Sequence, residues 1–61
     1  MHEKLRFVEG WLTGLGHTKE FVAYELTMIA NGKSTGGMSD DAVMILTSSE
    51  YLDKFGPYRA E

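Results

Sequence analysis

Cysteine is absent from the chain, which excludes disulfide staples and thiolate zinc sites. Histidine occurs only as His2 and His17, not at the helical spacing of a ligand pair, so a histidine metal site has little support and no cofactor is expected. No apolar run is long enough to cross a bilayer, and Met1-His2-Glu3-Lys4 lacks the pattern of a signal peptide. A cytoplasmic setting without membrane contact is therefore expected. Clustered basic charge is missing too. Lys4, Arg6, Lys19, Lys33, Lys54 and Arg59 are scattered among nine acidic residues, for a net charge of −3. Nucleic acid binding depends on grouped Lys and Arg that displace counterions, so it is disfavoured. Internal repeats and low-complexity runs are also absent.

What remains is a single domain of 61 residues carrying three apolar-rich segments. In the first, Glu3 to Leu15, Leu5, Val8, Leu12 and Leu15 recur at helical spacing, with Phe7 and Trp11 widening the stripe. Arg6, Glu9 and Thr13 fall opposite, as an amphipathic helix requires. Gly16 is placed to end it in a left-handed cap. Gly10 and Gly14 lie inside this helix, each costing roughly 1 kcal/mol relative to alanine. Their presence leads us to expect a helix or aromatic ring close against that strip.

The second segment runs from Thr18, a natural N-cap, to the stop signal Asn31-Gly32. Phe21, Val22, Leu26, Met28, Ile29 and Ala30 cover more than half of its wheel, and Tyr24 widens the arc. Val22, Tyr24, Leu26 and Met28 also alternate as a strand would, with Asn31-Gly32 as a hairpin turn. The return strand, Lys33-Ser34-Thr35-Gly36-Gly37, is poor strand material, so helix is favoured. A glycine-rich loop, 32–38, follows. The third segment is expected to be one helix from the N-cap Ser39 to Phe55. Ala42, Ile45, Leu46, Ser49 and Leu52 form its stripe, and Gly56-Pro57 stops it before a tail at 57–61.

Gly32-Lys33-Ser34-Thr35 brings phosphate-binding loops to mind. The nucleotide P-loop needs a glycine where this chain has Thr27, and a helix directly after, where Gly36-Gly37 stands. A simpler anion site of backbone N–H groups with Lys33 survives as an alternative, weakened by Asp40 and Asp41 nearby. Glu25 falls between Phe21 and Ile29, inside the apolar arc, where a carboxylate needs a partner or a route to water. It sits either at a rim or in contact with a basic group of another chain. No serine has an identifiable activating base. Tyr24, Tyr51 and Tyr58 lie near polar edges and suit partial exposure at an interface. Met28 adds adaptable apolar surface.

The expectation is an all-α domain of three helices, the first two forming a hairpin. A 60-residue chain buries only about 60% of the surface it exposes unfolded. An apolar middle segment therefore points to self-association, most simply a dimer. The functional expectation is a non-enzymatic protein that binds another protein as an inhibitor or adaptor. Small stand-alone chains of this kind are common among phage and bacterial accessory proteins. Tyr24, Glu25, Met28, Tyr51 and Tyr58 are its candidate contacts. The alternative is a binder of a phosphorylated or nucleotide ligand through Gly32, Lys33, Ser34 and Thr35.

Overall fold

A computed structural model describes residues 2–60. Among them the chain is helical without strands: α1 Glu3–Gly14, α2 Lys19–Ala30, a 3-10 turn Thr35–Gly37, α3 Asp40–Leu46 and α4 Ser49–Phe55. None of the helices is long and apolar enough to cross a membrane.

The two long helices are punctuated alike. At the start of α1 the His2 Nδ1 accepts from the Lys4 N–H, and at the start of α2 the Thr18 hydroxyl accepts from the Phe21 N–H. Each ends in a Schellman motif built on a left-handed glycine. At Gly16 (φ 93°) the His17 N–H returns to the Leu12 carbonyl and the Gly16 N–H to the Thr13 carbonyl. At Gly32 (φ 64°) Lys33 returns to Met28 and Gly32 to Ile29. The short turn between them makes a helical hairpin. The start of α1 lies beside the end of α2, since Leu5 shares a hollow with Ile29 and Ala30.

The single third helix expected over Ser39–Phe55 is in fact two. Ser48 has extended backbone (φ −70°, ψ 153°), and its hydroxyl caps α4 by accepting from the Tyr51 N–H. The same hydroxyl donates to the Ile45 carbonyl, and the Thr47 hydroxyl donates to the Val43 carbonyl. These side chains offer the backbone a local alternative to helix, and the ladder breaks there.

Val8 and Leu12 of α1, Val22 and Ile29 of α2, Met38, Ala42, Ile45 and Leu46 around α3, and Tyr51 of α4 form one core. Phe7 of α1 is the hub of an aromatic cluster. Its ring lies 5.8 Å from Trp11, 6.1 Å from Tyr51 and 5.7 Å from Phe55, at tilted or edge-on angles. The close contact expected at Gly10 and Gly14 is not made. A Cβ built on either meets nothing within 4 Å. Both face open space among the described residues, although Gly14 shares a face of the helix with Phe7 and Trp11.

Candidate interaction surface

The residues singled out as contacts separate into two groups. Tyr24, Met28 and Tyr58 reach the surface; Glu25 and Tyr51 do not.

Tyr24 is 57% exposed, more than any other large apolar or aromatic side chain among the described residues, and Met28 is half-buried one helical turn further on. The tip of Met28 reaches the glycine-rich loop. A Cβ on Gly37 would stand 2.8 Å from the Met28 methyl, so the flexible Met28 tip would have to shift to admit one. Tyr58, beyond α4, donates its hydroxyl to the Lys33 carbonyl and so ties the chain's end to the same loop. Tyr24, Met28, the loop and Tyr58 thus form a connected strip. Glu20 and Lys33 are exposed along it.

Loop amides that could cradle an anion are mostly engaged. Gly32 and Lys33 close α2, Gly36 donates to the Ser34 hydroxyl, Gly37 to the Ser34 carbonyl, and Met38 to the Thr35 carbonyl. An anion would find only the amides of Ser34 and Thr35, beside the exposed Lys33. The four alternative ligand residues are close in space, but they do not present a row of free N–H groups.

Glu25 corrects a sequence expectation. It is 1% exposed, neither at a rim nor available to another chain. Its Oε1 accepts from the Ser39 N–H at 2.9 Å, while the Ser39 hydroxyl accepts from Ala42 at 3.1 Å. In a capping box the N3 side chain, here Ala42, would reach back to the N-cap amide. Alanine cannot, and Glu25 supplies the missing acceptor from α2. The signal was present: a serine N-cap whose N3 residue lacks an acid leaves one amide in need of an acceptor. Glu25 Oε2 has no hydrogen-bond partner among the described residues.

Tyr51 corrects another. It is fully buried between Phe7 and Phe55, and its hydroxyl has no hydrogen-bond partner among the described residues. Burial, and secondarily the neighbouring Tyr58, raises its phenol above the ordinary value of about 10.

One constellation had no sequence signal. His17 Nε2 lies 2.7 Å from Asp41 Oδ2, across 24 residues, and the imidazole stacks on Phe21 with centroids 4.2 Å apart. A His–Asp pair is two thirds of a nucleophilic triad, but no serine or threonine hydroxyl is bonded to His17 among the described residues. Nor do three His, Asp or Glu side chains among them gather closely enough to hold a metal ion.

Compared with known proteins, the chain matches no family model, no curated protein and no solved structure.

Proposed function

We propose that this chain is a non-enzymatic interaction protein that binds another protein through the strip of Tyr24, Met28, the 33–37 loop and Tyr58. The observation that carries this is the exposure of Tyr24. An aromatic side chain more than half in solvent, without a bonding partner among the described residues, stands one turn from a flexible methionine. Tyrosine is enriched at interface hot spots, and methionine adapts to irregular partner surfaces. The loop beside them is held in place by Tyr58, so the strip meets a partner largely pre-formed. Glu20 beside Tyr24 suits a partner with basic charge near its apolar patch.

The test is comparative capture from cell extract with wild type and Tyr24→Ala. Tyr24 is exposed, so the variant should keep its helical circular dichroism and its melting temperature. A protein retained by wild type should fall about tenfold or more with Tyr24→Ala, as at a hot spot. Equal retention by both would overturn the assignment. So would a melting temperature that rises with nucleotide or sugar phosphate concentration and loses that rise in Lys33→Ala.

A further inference from the structure

The other edge of α2 tells a separate story. Lys19, Ala23, Leu26 and Ala30 follow one another along it, on the far side of the helix from Tyr24 and Met28. They face Leu5, Glu9 and Thr13 of α1 across an open cleft with two hollows, of about 400 Å³ and 220 Å³. Val22 and Ile29 form its floor. Ala23 and Ala30 are exposed and Leu26 half-buried, so the cleft is apolar and shallow. At the larger hollow its banks carry opposite charge. Glu9 stands on α1 and Lys19 on α2, and neither has an ion-pair partner among the described residues. His2 and Lys4 stand at the other end, beyond that pair.

We propose that the occupant of this cleft is a second copy of the chain, docked about a two-fold axis that sets each Glu9 against the other protomer's Lys19. A two-fold contact must be self-complementary: whatever residue i meets, its counterpart meets in return. An unpaired acid on one bank and an unpaired base on the other satisfy that condition with two cross-pairs. Apolar lining between them excludes water, and the small side chains of Ala23 and Ala30 let helices approach closely. The cleft spans parts of only two helices, so the contact is small, at or below the low end of specific interfaces. The dimer is therefore a weak one. A chain this small, with neither disulfide nor metal, also belongs to the class that gains stability from a partner.

Charge reversal tests it. Sedimentation equilibrium of wild type from about 10 μM to 1 mM should show a reversible monomer–dimer equilibrium, as a small interface implies. Glu9→Lys and Lys19→Glu should each weaken it about tenfold or more, by placing like charges together. An equimolar mixture of the two should recover the dimer as a heterodimer, since both cross-pairs then have opposite sign. The double variant should recover it alone. Leu26→Asp, made with Gly10→Ala to protect the fold, should abolish it. A wild type that stays monomeric throughout, single reversals without effect, or a mixture that does not recover would each overturn the proposal. Monomeric wild type with Tyr24-dependent capture intact would remove the second copy and leave the proposed function standing.

Discussion

Tyr51 concentrates two opposed effects in one side chain. Its ring fills the space between Phe7 and Phe55, while its hydroxyl is buried without an acceptor. A buried polar group left unpaired costs on the order of 1–3 kcal/mol, so Tyr51→Phe should leave stability at pH 7 unchanged or raise it by about 1 kcal/mol. The sign of the pH dependence follows from the raised phenol. Above pH ~10 the unfolded chain ionises while the native phenol stays protonated, so the unfolded state binds fewer protons and stability falls. Melting curves from pH 8 to 11 should show a steeper alkaline loss for wild type than for Tyr51→Phe. Parallel curves would show that the phenol ionises as readily in the native state, and a large loss of stability at pH 7 in the variant would show that the hydroxyl has a partner.

Among the elements, α1 carries a defect that nothing in the fold requires. Gly10 lies mid-helix and exposed, with open space where a Cβ would go. Gly10→Ala should stabilise the protein by about 1 kcal/mol, read as a shift in urea midpoint with unchanged slope. A destabilised variant would instead reveal a close neighbour at that strip. The contrast between α1–α2 and α3–α4 shows what the sequence displayed and what it concealed. Thr18, Gly16 and Gly32 act on amides and carbonyls within a few residues, so caps and stops could be read locally. The break at Ser48 could not, because the apolar positions Ala42, Ile45, Leu46 and Leu52 stay in helical phase across it. Only the hydroxyl run Thr47-Ser48-Ser49 marks the place, and hydroxyls are also common on helix surfaces. Glu25 and Tyr51 were misplaced for a related reason. A wheel shows which side of a helix a residue occupies, not that α3 will bring an amide to Glu25 or that Phe7 and Phe55 will close over Tyr51. Tyr24 was legible, since it borders the polar edge of α2.

At the scale of the whole molecule, the polar links His17–Asp41 and Glu25–Ser39 tie the hairpin to the second half, and they differ in environment. His17 and Asp41 join across a partly exposed surface, with side chains 26% and 45% accessible. Glu25 and Ser39 join in the interior. Water screens the first pair, so Asp41→Asn should cost under about 1 kcal/mol. Glu25→Ala opens a cavity and strands the Ser39 amide, so it should cost about 2–4 kcal/mol. Chemical denaturation of both variants measures the ratio; equal losses would mean that the surface pair matters more than its exposure implies.

The division of the C-terminal half has a consequence for the order in which structure is acquired. α3 and α4 are seven residues each, barely two turns, and segments so short do not hold helical form alone in water. They take their shape only against a surface already made, with Ile45 and Tyr51 supplying the adhesion. As the polypeptide emerges during synthesis, the hairpin comes first and can serve as the template on which the rest condenses.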